Sequence, residues 1–424
     1  MTAKSLLEGL FRTAIAAAHP SSCLRQHLPP ALESGRLIVL AAGKAAGSMA
    51  EVAEQAYGGL GGRLAGIAVA RQGYARPIRL ISMMEAGHPI PDAAGVKAAE
   101  EALKLAEGAG AGDLVLVLLS GGASANWIAP AQGLSLADKQ AVTRALLRSG
   151  ATISEINMVR KHLSRIKGGR LAKLARRARV LTLAISDVPG DDPAVIGSGP
   201  TVPDPTTLAD ARAIVARYKL EIPDVVTRAL ADPNNESPKP GDPVFAATEY
   251  KLIARPADAF RAAERQARML GYEPVLLSNR IEGEAREVAA EHAARALALQ
   301  KQGRRAVILS GGELTVTIRG QGRGGPNQEY ALALAVALNG APGIAALAGD
   351  TDGTDGGAGS PNDPAGAWID QTTLDRASSL GLDPAHFLSD NDSTAFFTRL
   401  GDLVETGPTW TNVNDFRAIV VDRL

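Results

Sequence analysis

The chain has 424 residues, 46% hydrophobic and 21% charged, a globular composition too long for one comfortable core. Its 45 Lys and Arg balance 45 Asp and Glu, so it lacks the basic excess expected of a nucleic-acid or membrane-surface binder. The single cysteine, Cys23, excludes an intrachain disulfide and a cysteine-based zinc site, and suits a reducing cytoplasm.

The opening MTAKSLLEGLFRTAIAAA starts like a signal peptide, but Glu8 and Arg12 interrupt its apolar stretch and predict an amphipathic helix. No charge-free run is long enough to span a bilayer. Residues 37–42 form a short apolar run, followed by Gly43-Lys44 and a helical stretch to about Gln55. A helix is predicted over 94–107. Residues 114–119 are again apolar and end at Ser120-Gly121-Gly122. A helix over 136–148 has Ser135 as its cap. Residues 180–185 lead into Ser186-Asp187. Continuous apolar runs of this kind predict strands buried on both faces of a parallel sheet. The segment 231–243, ADPNNESPKPGDP, has four prolines and reads as a linker dividing the chain near residue 240. Beyond it come a strand over 244–254 and helices near 257–270 and 282–302. Two more apolar runs follow, 306–309 ending at Ser310-Gly311-Gly312 and 344–348 ending at Gly349-Asp350.

Ligands of open α/β sheets bind beyond the carboxyl ends of strands, and five such ends here are polar or glycine-rich. Lys44 at a helix start sits against the positive end of the dipole, unless an anion reconciles the two. Ser120, Gly121 and Gly122 offer backbone N–H groups and a hydroxyl to oxyanions, or simply a capping turn. The basic stretch 157–170 is either a solvated face or a carboxylate-binding surface through Lys161 and Arg165, with His162 as a base lacking a visible acid. Asp187, Asp191 and Asp192 follow a buried strand, where acids hold Mg²⁺ or orient a hydroxyl. GQGRGG at 320–325 matches a dinucleotide fingerprint, but the preceding 314–319 alternates like a half-exposed strand. Arg323 suits a phosphate-neutralising arm better, and Pro326 starts a helix with Asn327 and Glu329 in its first turn. Asp350, Asp352 and Asp355 lie in GDTDGTDGGAG, a Mg²⁺ loop or an acidic turn. Residues 407–409 and 411–415 form a nucleotide wall or hairpin turns.

Together AAGKAAGSMA, EAGHPIPD, LLSGGASA, NMVRKHLSRIKGGRLA, ISDVPGDDPAVIGSGPTVPDPTT, LSGGELTVTIRGQGRGGPNQE, GDTDGTDG and TGPTWTNVND resemble, in order and over nearly the whole chain, the glycerate kinases with a MOFRL domain. The resemblance implies an α/β fold of two domains. These are a Rossmann-like parallel sheet with helices on both faces over 1–240 and a smaller α/β MOFRL domain over 241–424, with the site between them. It implies phosphorylation of D-glycerate to 2-phosphoglycerate by ATP and Mg²⁺ in the cytoplasm. Nucleic acid and membrane are excluded as partners, and a homodimer is left open. The family's catalytic lysine and arginine fall on Lys44 and Arg323. Asp187, Asp350 and Asp352 are then expected at the metal. Ser120, Gly121, Gly122, Lys161, Arg165, Asp191, Gly311, Gly312, Asn327 and Glu329 are expected at substrate or phosphate. The competing expectations are an NAD(P)H-dependent hydroxypyruvate reductase and a non-catalytic sugar-phosphate sensor.

Overall fold

The computed structural model describes residues 2–357 and 359–423. They fall into two compact units: one runs from Cys23 to Ile253, and the other combines the chain before Cys23 with everything from Ala254 onward.

The first unit is built on β1 (Leu37–Ala42), β2 (Leu64–Arg71), β3 (Ser82–Ala86), β4 (Leu114–Leu119), β5 (Arg179–Ile185) and β6 (Thr248–Ala254), in the order β3-β2-β1-β4-β5-β6. The pairings from β3 through β5 are all parallel. β1 and β4 are buried along their whole length, which is why their sequences are uninterrupted apolar runs. The two are neighbours although β2 and β3 intervene in sequence, so the chain reverses its direction of winding there. Such a switch point opens a crevice at the carboxyl ends of the two strands.

The division near residue 240 is corrected. The proline-rich segment is fastened to the first unit, where the Asp204 N–H donates to the Pro238 carbonyl at 3.0 Å. The Phe245 ring lies 2.7 Å from where a Cβ on Gly169 would sit. The strand expected to open the second domain is instead β6, the edge of the first sheet.

The second unit holds β7 (Glu273–Ser278), β8 (Gly283–Glu284), β9 (Ala306–Gly311), β10 (Leu314–Thr315), β11 (Ile344–Asp350), β12 (Gly366–Ile369), β13 (Leu403–Val404) and β14 (Asp415–Val421). Six of these form a sheet in the order β13-β12-β11-β14-β9-β7, and β8 pairs with β10 apart from it. Within the six-stranded sheet β7 and β9 pair in parallel and the other described pairs are antiparallel, while β8 and β10 pair in parallel. The buried apolar runs at 306–309 and 344–348 therefore report burial on both faces and not parallel pairing.

The N-terminal segment is a helix, Ala3–Ala18, capped by the Thr2 hydroxyl, with Leu6, Leu7, Leu10, Phe11 and Ala14 buried. It packs on the helix Pro256–Met269 and on β14 of the second unit. The Phe416 ring stacks on Phe260 at 5.4 Å and meets Phe11 at 5.8 Å. Among the described residues no helix is long and apolar enough to cross a membrane. Phe11→Ala is expected to destabilise the second unit by about 3–5 kcal/mol through the cavity it leaves. Amide exchange should rise across β14 and Pro256–Met269 and stay unchanged across β1 and β4.

Candidate active site

In the first unit the crevice is closed by direct bonds between two loops. Gly43, at φ +113°, leaves β1 in a conformation only glycine tolerates, and a Cβ there would lie 2.5 Å from the Ser120 carbonyl and hydroxyl oxygens. The Lys44 N–H donates to the Gly121 carbonyl at 2.8 Å. The Ala45 N–H donates to the Ser120 hydroxyl at 2.9 Å, and the Ser120 N–H to the Ala42 carbonyl at 3.1 Å. The Ser120 hydroxyl therefore joins the two loops and is fully buried. The N–H groups of Gly121 and Gly122 have no acceptor among the described residues. Two successive N–H groups of this kind form an oxyanion cradle.

Gly122, at φ +83°, brings further groups to the same place. A Cβ there would lie 3.0 Å from the His88 ring and 3.4 Å from Lys44 Cγ, so both side chains flank this glycine. The His88 loop, which follows β3, is held by Asn126, whose amide donates to the Gly87 carbonyl at 3.3 Å. The strand ends of β1, β3 and β4 thus deliver Lys44, His88 and the glycine N–H groups to one spot.

The end of β5 adds acids. Asp187 is half-buried. Asp191 adopts φ +58°, and its buried Oδ1 has no hydrogen-bond partner among the described residues. A buried carboxylate oxygen without a donor suits a hard cation. The following loop packs on Ser120–Ser124: the Ser124 and Ser198 hydroxyls lie 2.5 Å apart, and a Cβ on Gly197 would meet Ala123.

The basic stretch is neither a solvated face nor a free carboxylate clamp. Lys161 faces Asp204 at 3.6 Å, and the exposed Arg165 faces Glu100 at 3.4 Å and donates to the Pro130 carbonyl. Both expected substrate cations are thus paired within the protein. His162 does have an acid, Glu236, at 3.2 Å, while its Nδ1 lies 3.0 Å from the Met158 carbonyl. The ring is fully buried and braces the fold. Lys167 is the member that reaches the glycine loop: its buried ammonium donates to the Ser124 carbonyl at 2.8 Å. Burial, reinforced by Arg160, Lys139 and Lys161, pushes this lysine well below its ordinary range.

In the second unit three loops interlock. Around 320–325 the glycines press on another chain segment: a Cβ on Gly320 or Gly322 would lie 2.3 Å from Asp390 or Asp392. The Arg323 N–H donates to the Asp392 carboxylate at 3.0 Å, while its guanidinium is 69% exposed and faces Asp363 at 3.3 Å. Asp350 accepts from the Asp352 N–H, and Asp352 accepts from the N–H and hydroxyl of Thr354. Thr409 donates its N–H to the Asp352 carbonyl, and Thr351 bonds the Asn414 carbonyl, which ties in residues 406–415. Beside these last residues lies a cavity of about 600 Å³ lined by Arg12, His19, Thr409 and Trp410.

Four other expected ligands have structural employment. Gly311 accepts from the Ile281 N–H and Gly312 accepts from Arg417, with no room for a Cβ at either. Asn327 donates to Asp355 and to Asp415, the latter at 2.7 Å. Glu329 is buried in an ion pair with Arg286. Asp355 accepts four N–H bonds from Asn327 and Gln328 at the helix start. Burial, with Asp415 nearby, pushes its carboxyl up to about 7. Among the described residues no three His, Cys, Asp or Glu side chains gather as a metal-holding group. Asp187 lies on the first unit and Asp350 and Asp352 on the second.

Residues 6–231 match the family described as a domain of unknown function, DUF4147, and residues 306–415 match the MOFRL family. The D-glycerate 2-kinase of Thermotoga maritima is 38% identical over 97% of each chain. A crystal structure of a glycerate kinase from the same organism superposes with a TM-score of 0.88 at 37% identity, covering 99% of both chains. An Agrobacterium vitis protein provisionally named a hydroxypyruvate reductase is 48% identical over 99% of this chain and 95% of its own. The fold and the paired domains define an α/β protein of the DUF4147–MOFRL type. The chain belongs to the MOFRL-domain glycerate kinase family.

Ser120→Ala removes the acceptor of a buried N–H and should cost about 1–3 kcal/mol, read by denaturant unfolding. Amide exchange at Ala45, whose N–H loses the Ser120 hydroxyl, should accelerate as well. Asp355 binds its proton more tightly folded than unfolded, where a carboxyl titrates near about 4. Its stabilising contribution is therefore present below that value and lost as pH rises through about 7. Asp355→Asn should flatten this fall in stability between about pH 4 and pH 7, while lowering stability overall because buried N–H groups lose an acceptor.

Proposed function

We propose that this chain transfers the γ-phosphoryl group of ATP to the 2-hydroxyl of D-glycerate, giving 2-phosphoglycerate and ADP in the cytoplasm. The observation that carries the reading is the pair of unpaired N–H groups of Gly121 and Gly122, flanked by Lys44 and His88 at the switch point.

Phosphoryl transfer asks a protein mainly for positioning and charge neutralisation. The Gly121 and Gly122 N–H groups hold oxygens of the transferring group or the substrate carboxylate. Lys44 neutralises charge on the phosphoryl oxygens, and Arg323 supplies the second positive charge. His88 accepts the proton of the 2-hydroxyl as its oxygen attacks phosphorus, and the bond to the β-phosphate oxygen breaks. Mg²⁺ would be held by Asp187 and Asp191 together with phosphate oxygens, where it supplies charge neutralisation; Asp350 and Asp352 are a separate acidic pair for phosphate-bound Mg²⁺. The residues fit such an ion, because it takes one or two carboxylates and keeps phosphate and water as its other ligands.

The reductase reading rests on the name of the Agrobacterium relative and on the glycines at 320–325. Those glycines accommodate Asp390 and Asp392 rather than leaving backbone exposed to a pyrophosphate. The two-residue strand β10 before them is not part of the six-stranded sheet.

Pure protein with D-glycerate, ATP and Mg²⁺ should form 2-phosphoglycerate, and should not oxidise NADH with hydroxypyruvate. NADH oxidation alone overturns the proposal. Lys44→Ala or Arg323→Ala should lower kcat by roughly 10²–10³-fold. His88→Gln should lower it by roughly 10²–10⁴-fold and abolish the acidic limb of the pH–rate profile. Near-normal kcat in any of the three removes that residue from the mechanism.

A further inference from the structure

A second cavity of the first unit, about 470 Å³, lies beside the helices Leu136–Arg148 and Ile153–His162 and the loop that carries His88. Its size is that of small-molecule sites. Three large apolar side chains on its lining are mostly solvent-exposed: Ile90 at 72%, Leu147 at 64% and Ile153 at 65%. Its charged lining is cationic only, consisting of Lys139, Arg144 and Arg160, with no acid among the lining residues.

Those cations are short of anionic partners. The Arg160 guanidinium donates to the Asn157 amide oxygen at 3.1 Å, and no carboxylate lies within 4 Å of it among the described residues. The Lys139 ammonium, 4% exposed, donates among the described residues only to the carbonyls of Arg160 and Leu163. Burial first, then the charges of Arg160 and Arg170, brings this lysine down to about 7. Arg144 is exposed and makes no ion pair among the described residues. A buried cation at a cavity wall without an anion is unfavourable unless a ligand supplies one. Exposed apolar surface beside it asks for hydrocarbon.

We infer that this cavity is a binding site for an acyl carboxylate, its carboxylate on Arg160, Lys139 and Arg144 and its chain on Ile90, Leu147 and Ile153. The site is distinct from the Lys44 loop, though the two share a wall. The Pro91 carbonyl is held by the Gln140 amide at 3.0 Å, and Pro89 to Pro91 line the cavity immediately after His88. The other occupant of an apolar and basic face is a second copy of this chain. The concave shape and one-sided charge favour the small anion.

Octanoate is the probe, titrated calorimetrically into the full chain, with acetate and 1-octanol as controls. One saturable site is expected for octanoate, with both controls weaker because one lacks the chain and the other the charge. Arg160→Gln and Leu147→Asp should each weaken octanoate roughly tenfold or more, the loss expected for one charge-assisted bond or one apolar contact. Both variants should keep the wild-type melting temperature within a few degrees, since they alter exposed or half-buried positions. Non-saturating heats, or equal affinity in wild type and both variants, overturn the inference. So does a dimer in sedimentation that Leu147→Asp dissociates, which would make the second copy the occupant.

Discussion

The site depends on the stitching of two loops across the β1–β4 boundary. Once β1 and β4 are neighbours, their carboxyl ends open the crevice, but an open crevice of glycines would have no fixed shape. The bonds from Lys44 N–H to Gly121 and from Ala45 N–H to the Ser120 hydroxyl fix it. They also change how the lysine acts. The sequence suggests a helix N-terminus offering N–H groups to an anion. In the structure those of Lys44 and Ala45 are already used, and the unpaired donors lie on the facing strand end, at Gly121 and Gly122. The lysine side chain and the oxyanion cradle thus come from different strands and meet because one pins the other.

Behind the cradle lies a buried cationic layer that most proteins would avoid. Lys167 alone among these cations reaches the loop, bonding the Ser124 carbonyl, while Lys161 and His162 are tied to Asp204 and Glu236. Burying several like charges is costly, and the lowered affinity of Lys139 and Lys167 for their protons expresses that cost. What the layer returns is a glycine-rich loop held from beneath by side chains, so that flexibility in sequence becomes a fixed geometry.

The strand-end loops were legible because strands buried on both faces leave continuous apolar runs, and the residues that follow stand out against them. Lys44, Ser120 to Gly122 and Asp187 all come from that contrast. His88 was not legible: it follows a half-exposed strand, and its place over Gly122 is set by tertiary approach. Glu236, the acid of His162, lies 74 residues away in the chain and only the fold brings it near. Asn327 and Glu329 show the limit of this contrast, since polar residues in a first helical turn look alike in sequence whether they face a ligand or, as here, Asp355 and Arg286. The domain boundary failed because proline content marks a segment without regular structure and says nothing about what it packs against. The N-terminal helix was legible as amphipathic, but its partner is nearly the whole chain away.

Lys44 and Arg323 illustrate two ways of preparing a cation. Lys44 is half-buried among small residues, with its backbone bonded and its stem against Gly122. Its position is set before any ligand arrives, at the cost of partial desolvation. Arg323 has an equally fixed backbone, with its N–H on Asp392 and its carbonyl accepting from the Thr394 N–H. Its guanidinium, however, is mostly in water and held by one ion pair to Asp363. An exposed pair of that kind is worth about 0–1 kcal/mol, so a phosphate competes with Asp363 at little expense. A bidentate guanidinium–phosphate contact in a drier setting is stronger than the pair it replaces. The glycines at 320–325 let the loop lie flat against Asp390 and Asp392, while the arginine side chain stays largely in water. Rigidity in the backbone and exchangeability in the side chain are therefore separate properties of one loop, and a dinucleotide fingerprint requires neither.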